Sequence, residues 1–217
     1  MVETTFGPAV TVSATYGTGG SLIAPRLAQE LELPFIDRLL SPEGDPHLNT
    51  EKRSQEGLSE GEQEATPGGR FFSYFARAAS VGAMMAPDPL VDDDETIRTR
   101  SEAPLRPVQA GAPALVLGRA AALVLASRPR TFHVRLDGDP ERRLAWASGL
   151  EGLDREAVRT RLNETDKARA MFVKRLYRAD PASPALYHLQ LDPTVLGLDR
   201  SVQVLVTAAR AYFEANP

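Results

Sequence analysis

The feature that most constrains the fold of this chain is a glycine-rich turn near its N-terminus, residues 16–21, with the sequence YGTGGS. A run rich in β-branched residues, 10–14, precedes the turn, and apolar residues at helical spacing follow it from Leu22 to Glu32. Residues 34–37 then have the pattern of a second short strand. A strand, a glycine turn, a helix and a strand in this order predict a βαβ unit, and therefore a parallel sheet.

The rest of the chain continues the alternation of strands and helices. Three more apolar runs have the length of buried strands, and helical patterns separate them. The predicted strands are residues 114–117, 131–136 and 187–192, and the predicted helices are residues 70–86, 120–127, 140–146, 155–163, 165–176 and 200–214, with one more beginning near residue 92. Five strands alternating with helices predict an α/β fold.

Composition excludes several kinds of site. The chain of 217 residues has no cysteine and only three histidines, so thiol chemistry and disulfides are excluded and a histidine-rich metal site is not expected. No apolar stretch is long enough to cross a bilayer, and the first residues lack the basic-then-apolar pattern of a signal peptide. We therefore expect a cytoplasmic protein that does not act at a membrane.

Charge is unevenly distributed, although the formal net charge is only −4. Residues 43–64 carry seven acidic residues against two basic ones and lie in a polar stretch without apolar periodicity, which indicates a loop or a partly disordered insertion. Residues 128–178 carry more arginine and lysine than aspartate and glutamate. A basic second half beside an acidic insert predicts small anionic ligands and no nucleic acid, which usually requires a broadly basic domain. Homo-oligomerisation is left open.

The glycine turn predicts a phosphate-binding site. Backbone N–H groups and the helix dipole both attract anions at the N-terminus of a helix. The P-loop pattern G-x-x-x-x-G-K-[ST] aligns with residues 14–21, and it is met at Gly19 and at Ser21. Ala14 stands in place of the first glycine, and Gly20 stands in place of the lysine.

A dinucleotide-binding motif is the alternative interpretation of the same turn. The fingerprint G-x-G-x-x-G is met at Gly17 and Gly19, but Leu22 replaces its third glycine. Asp37 stands at a suitable distance to be the acidic residue that holds a ribose. This alternative predicts binding of NAD(P), which a cofactor-binding assay would test.

Five blocks of the sequence resemble the cytidylate kinase-like family. They occur in the order of that family and cover most of residues 9–213 apart from the polar insert. The blocks are YGTGGS at 16–21, LPFIDR at 33–38, LVLGR at 115–119, TDKARA at 165–170 and YHLQLD at 187–192.

The resemblance implies the fold of a nucleoside monophosphate kinase in a single domain, residues 1–217. In this fold a P-loop adjoins a five-stranded parallel sheet with helices on both faces. The insert 41–103 would be the segment that binds the monophosphate, and the helical region 140–178 would be a mobile lid. The resemblance also implies phosphoryl transfer from ATP, with Mg²⁺, to a (d)CMP-like nucleotide, which depends on positioning and charge neutralisation.

The resemblance assigns roles to individual residues. The phosphate-binding candidates are Gly17, Thr18, Gly19, Gly20 and Ser21, and Ser21 is also the candidate metal ligand. The catalytic candidates are Arg119, Arg169 and Asp166, and the substrate-binding candidates are Asp37, Arg38 and Arg142. Other interpretations stay open for the charged residues, namely capping of a strand end by Asp37 and Arg38 and a surface ion pair between Asp166 and Arg169. His133 and Trp146 are expected to pack in the interior.

Two positions depart from true cytidylate kinases. Gly20 replaces the lysine of the P-loop, which predicts slow turnover unless Arg119, Arg142 or Arg169 supplies the missing charge. Ala120 replaces an aspartate after the Gly-Arg pair, which bears on cytosine selectivity. Gly20→Lys is expected to raise activity if the loop has room for a side chain. The alternative function is a nucleotide-binding or nucleotide-sensing protein of the same fold with weak or no catalysis.

Overall fold

The computed structural model describes residues 6–37, 94–118 and 120–217, and a five-stranded sheet forms its centre. All strand pairs are parallel, in the order β2-β3-β1-β4-β5. The strands are β1 (Ala9–Ala14), β2 (Phe35–Ile36), β3 (Ala114–Leu117), β4 (Thr131–Leu136) and β5 (Leu189–Leu191). The predicted five-stranded parallel sheet is confirmed. Because the strands are parallel, their carboxyl ends lie at one edge, where open α/β sheets bind their ligands.

Helices connect the strands of this sheet. They are α1 (Gly20–Glu30), α2 (Asp94–Glu102), α3 (Arg106–Gln109), α4 (Ala121–Val124), α5 (Pro140–Glu151), α6 (Arg155–Tyr177), α7 (Pro193–Leu196) and α8 (Leu198–Ala215), with 3-10 turns at Ala103–Leu105 and Pro184–Leu186. The helix predicted at 70–86 lies outside the described residues, as do most of the insert 41–103 and the side chains of Arg38 and Arg119. None of the helices described here has both the length and the apolar character needed to cross a membrane.

The two faces of the sheet are covered by different helices. On one face, α1 and α8 pack against the strands, for example Leu27 and Leu205 against Val10. On the other face, residues in and near α3 and α4 pack with the residues of β1 and β3 that point to that side, for example Val108 with Val116. Successive strand residues point to opposite faces, so β3, which is buried on both sides, is apolar throughout. The strand β4 is also buried along its whole length, but one of its faces carries Thr131, His133 and Arg135. The chain therefore has the expected three layers.

The region 140–178 differs from the prediction in the length of its second helix. The sequence pattern predicts two helices there, at 155–163 and 165–176, but α6 is one helix of 23 residues. Glu164 between the two segments is a good helix former, so nothing breaks the backbone hydrogen bonds. The helix begins where the Asp154 carboxylate accepts a hydrogen bond from the N–H of Glu156, and it ends at Arg178, whose φ is +52°.

The strand order also separates this fold from the dinucleotide-binding one. In that fold β2 lies beside β1, so an acidic residue after β2 reaches the ribose of a dinucleotide bound at the first turn. Here β3 lies between β1 and β2. Asp37, which follows β2, is therefore one strand further from the glycine turn than the dinucleotide motif requires.

His133 is buried in β4, as the sequence predicts. Its Nδ1 atom lies 2.7 Å from the hydroxyl of Thr11 on β1, and its backbone N–H donates to Nδ1 of His188 at 3.0 Å. Burial lowers the pKa of His133 to about 4, and the nearby His188 adds to this effect. The imidazole is therefore neutral in the folded protein near neutral pH.

This buried histidine predicts a pH dependence of stability. Between about pH 6.5 and about pH 4 the unfolded chain takes up a proton at His133 that the folded chain does not, so stability falls as the pH is lowered through this range. The full shift corresponds to about 3 kcal/mol. Urea unfolding should show a smaller loss of stability over this range for His133→Gln, which keeps a hydrogen-bonding group beside Thr11. An equal loss of stability in wild type and His133→Gln would show that His133 does not cause the pH dependence.

Candidate functional site

The loop between β1 and α1 depends on two glycines in the left-handed region. Gly17 has φ +76° and Gly19, which precedes α1, has φ +69°. A Cβ atom at Gly17 would lie 2.8 Å from the carbonyl oxygen of Arg143, and one at Gly19 would lie 3.0 Å from Leu198 and 3.4 Å from Trp146. Both the backbone conformation and the close packing therefore require glycine. Trp146 is half-buried at the loop and not in the central core that the sequence predicts.

Several backbone N–H groups of this loop are available to a ligand. Those of Gly17, Gly19, Gly20 and Ser21 form no hydrogen bond with any residue in the described ranges. They surround the N-terminus of α1, where the helix dipole also favours negative charge. Thr18, by contrast, is fully buried, and its hydroxyl donates to the Thr15 carbonyl at 2.8 Å. The loop thus offers backbone donors, and the Thr18 side chain holds its shape.

Tyr16, at the start of the loop, is held by the two helices of the region 140–178. Its N–H donates to Oδ1 of Asp166 at 2.8 Å, and its carbonyl accepts a hydrogen bond from Arg143 at 2.8 Å. Arg143 also forms an ion pair with Oδ2 of Asp166 at 2.6 Å. The Tyr16 hydroxyl donates to the carboxylate of Glu151 at 2.8 Å. We call Tyr16, Arg143 and Asp166 the Tyr16 clasp.

Arg169 lies at the base of the same loop. Its Nη1 donates to the carbonyl oxygen of Ala14, the last residue of β1, at 3.1 Å. Ala14 also adjoins Gly20, because a Cβ atom built on Gly20 would lie 2.6 Å from the Ala14 Cβ. The guanidinium of Arg169 therefore contacts the backbone of Ala14, and the side chain of Ala14 adjoins Gly20, which stands in place of the P-loop lysine. The room that Gly20→Lys requires is not present, because the Ala14 methyl group occupies it.

The other candidates lie further out. Arg142 is exposed and pairs with Asp192 at 2.7 Å, whereas its neighbour Arg143 reaches the loop. Adjacent residues of a helix point about 100° apart, so both cannot face the loop. Both arginines lie at the start of the predicted lid, and the sequence analysis takes only Arg142 as a substrate-binding candidate. The place of Arg143 beside Leu144 and Ala147, the other buried residues of α5, is the signal that could have found it.

Asp137 is a further charged residue beside the loop that the sequence analysis missed. It follows β4, and its carboxylate accepts hydrogen bonds from the Thr15 hydroxyl at 3.1 Å and from the Gly138 N–H at 2.8 Å. Burial by itself would raise the pKa of Asp137, but the Gly138 N–H and the Arg135 guanidinium outweigh burial and lower it. The ionised carboxylate fixes the start of the loop through Thr15.

A resident metal centre is not apparent in the part of the chain that the structure describes. No three histidine, aspartate or glutamate side chains come together there to hold an ion. Ser21 is exposed in the first turn of α1, and its hydroxyl has no hydrogen bond to another described residue. Mg²⁺ commonly takes one or two protein oxygens together with phosphate oxygens and water. Ser21 therefore fits an ion that arrives with a phosphate ligand.

Among solved structures similar to this chain, one superimposes closely enough to share its fold. An uncharacterized protein from Eubacterium ventriosum superimposes with a TM-score of 0.60 at 14% identity, covering 94% of this chain and 98% of the other. A gluconokinase from Sinorhizobium meliloti gives a TM-score of 0.48 at 18% identity over 98% and 99% of the two chains. A shikimate kinase from Bacteroides thetaiotaomicron gives 0.48 at 13% identity over 95% and 98%. No curated relative matches the sequence.

The family comparison covers most of the chain. The model of the cytidylate kinase-like family matches residues 9–194, from the first residue of β1 into α7. The match contains all five strands, the loop and both helices of the region 140–178. It agrees with the parallel sheet, the left-handed glycines and the free N–H groups at α1. The chain belongs to the cytidylate kinase-like family.

Proposed function

We propose that this protein binds ATP at the loop between β1 and α1 and transfers a phosphoryl group to a (d)CMP-like nucleotide. The observation that supports this most directly is the group of free N–H donors at Gly17, Gly19, Gly20 and Ser21. Four such donors at a helix N-terminus suit the oxygens of a polyphosphate. The family to which the chain belongs supports a nucleotide as the ligand.

The loop suits ATP together with Mg²⁺. The loop packs closely at Gly17, Gly19 and Gly20, where a Cβ would meet a neighbouring protein atom at 3.0 Å or less. Glycine at these positions therefore allows the loop conformation that leaves the backbone N–H donors unpaired. The Ser21 hydroxyl would provide a metal ligand beside these donors. ATP would supply the phosphoryl group, and Mg²⁺ would neutralise part of its charge.

Arg169 would perform the electrostatic role of the missing lysine. Its guanidinium donates to the carbonyl of Ala14, whose side chain adjoins Gly20, and a P-loop lysine would begin at Gly20. A fixed cation at this point stabilises negative charge that develops on the transferring group. Arg119 would supply a second guanidinium at the end of β3.

The acceptor would bind along the carboxyl edge of the sheet. Asp37 follows β2 at this edge, and Arg38 comes next in the chain. Arg142 would have to leave its ion pair with Asp192 to reach an acceptor, and exposed pairs of this kind contribute little. The insert 41–103 would complete the acceptor site, and the region 140–178 would close over it.

A second candidate function is nucleotide binding without efficient turnover. Gly20 supports this function, because it provides only a backbone N–H where P-loop kinases have a catalytic lysine. Both candidates predict binding of ATP, and only the first predicts phosphoryl transfer.

A thermal-shift series followed by a coupled kinase assay separates the two functions. We expect MgATP to raise the melting temperature with increasing concentration, since a ligand stabilises the state that it binds. CMP, dCMP, UMP and AMP test the acceptor, and NADH tests the dinucleotide alternative. Ser21→Ala should lower turnover without lowering the stability of the free protein, because the exposed hydroxyl has no hydrogen bond to other described residues.

The outcomes differ for each interpretation. Stabilisation by MgATP with formation of a diphosphate supports the proposed kinase. Stabilisation without turnover of any monophosphate supports the binding protein. A protein that none of the nucleotides stabilises would refute both.

A further inference from the structure

We propose that Arg143 and Asp166 are positioning residues, which hold the loop ready for phosphate through Tyr16 and connect it to α5 and α6. This inference rests on the proposed function, because its importance for binding depends on a phosphate ligand at the loop. Neither side chain needs to touch that ligand. Asp166, a catalytic candidate in the sequence analysis, here acts through the backbone of Tyr16.

The contacts of the Tyr16 clasp form a closed ring. The Tyr16 N–H is bound to one carboxylate oxygen of Asp166, the other oxygen is bound to Arg143, and Arg143 returns to the Tyr16 carbonyl. Nε of Arg143 also donates to the carbonyl of Gly138 at 3.0 Å. Both peptide groups of Tyr16 are thus fixed relative to the end of β4. The next N–H along the chain, that of Gly17, is the first of the free donors.

Burial stabilises the contacts among the three residues of the Tyr16 clasp. The side chain of Arg143 is 7% exposed and that of Asp166 is 23% exposed. A charge in such a place needs its partner, since removal of one member leaves the other desolvated and unpaired. The Tyr16 side chain, which is itself buried, extends the connection to Glu151 at the end of α5.

The signs of the charges predict unequal effects of the two residues. Asp166 places a negative charge against Tyr16, directly beside donors that would receive a phosphate, and Arg143 neutralises it. Loss of Arg143 would leave that carboxylate to repel the ligand. Loss of the Asp166 charge alone, in Asp166→Asn, would keep an oxygen acceptor for the Tyr16 N–H and add no repulsion.

The test combines hydrogen exchange of the free protein with binding of magnesium pyrophosphate. The indole of Trp146, the one tryptophan of the sequence, lies against Gly19 and reports binding by its fluorescence. For Arg143→Met we expect exchange of the Tyr16 amide, which donates to Asp166, to rise about tenfold or more. The Kd should rise by a similar factor, as for loss of hydrogen bonds to a charged group. Arg143→Met/Asp166→Asn should recover most of the lost affinity, because the unpaired carboxylate is gone.

A matched ion pair between the same two helices provides the control. Arg155 on α6 pairs with Glu141 on α5 at 2.8 Å, and both side chains are exposed. Arg155→Met should leave loop exchange and pyrophosphate affinity unchanged. If Arg143→Met does not fold, Arg143→Lys replaces it. In Arg143→Lys the Tyr16 amide should exchange faster, whereas the affinity for pyrophosphate should stay close to wild type because the charge is kept.

Two results would overturn the proposal. One is unchanged exchange of the Tyr16 amide in both Arg143 variants. The other is a double variant that binds pyrophosphate no better than Arg143→Met. If wild type binds neither pyrophosphate nor nucleotide, the proposed function is refuted, while the exchange of the free protein still decides whether the clasp fixes the loop.

Discussion

Arg169→Ala is expected to lower turnover by about 10²–10³-fold, the usual loss when one electrostatic donor to a transition state is removed. Its guanidinium contacts the Ala14 carbonyl at the base of the loop, beside a glycine that replaces the P-loop lysine. Because this charge matters most while the phosphoryl group moves, binding of MgATP should weaken much less than kcat falls. Steady-state kinetics and thermal shifts measure the two effects separately.

Two matched variants test why turnover falls in Arg169→Ala. Arg169→Lys keeps the charge and one donor, so it should recover part of the turnover. Lys174→Ala removes an exposed positive charge from the same helix and should leave turnover unchanged. Equal losses in Arg169→Ala and Lys174→Ala would show a general effect of charge. Normal turnover in Arg169→Ala would exclude Arg169 as the substitute for lysine.

Gly20→Lys alone is expected to destabilise the protein by about 1–3 kcal/mol, the usual effect of inserting atoms into a packed site. The new Cβ would lie 2.6 Å from the Cβ of Ala14. Ala14→Gly removes that methyl group, and the next nearest atoms, on Leu117 and Leu136, lie 3.8 and 3.9 Å away, at ordinary contact distances. Ala14→Gly/Gly20→Lys should therefore be more stable than Gly20→Lys, as urea unfolding can measure.

The same double variant should also have a higher turnover. A lysine at position 20 would restore the cation of the P-loop pattern, and we expect a gain of about 10²-fold. Ala14→Gly/Gly20→Ala is the control without charge: it should regain stability and not turnover. When the new lysine is present, Arg169→Ala should lower turnover less than it does in wild type. The effects of two groups that perform the same role are not additive. Equal stability of Gly20→Lys and wild type would contradict the steric argument.

The sequence by itself determined the fold and the place of the glycine loop. Residues 114–117 are apolar on both faces, which only strands buried between two helical layers tolerate. Residues 131–136 alternate the apolar Phe132, Val134 and Leu136 with polar residues, and both strands are found as predicted. The turn at 16–21 stands between β1 and α1, and the left-handed conformations of Gly17 and Gly19 follow from a chain reversal that other residues adopt poorly. These features depend on local pattern, so a single sequence reveals them.

Only the tertiary structure decided which charged groups serve the loop. Arg142 and Arg143 are equivalent in composition and adjacent in sequence, and the docking of α5 turns one toward Asp192 and the other toward Tyr16. Asp166 comes 150 positions after Tyr16, yet its carboxylate binds the Tyr16 N–H. The conflict between Ala14 and a side chain at position 20 likewise exists only once the loop has folded back on β1. Such contacts depend on side-chain direction across packed elements, which sequence spacing alone does not specify.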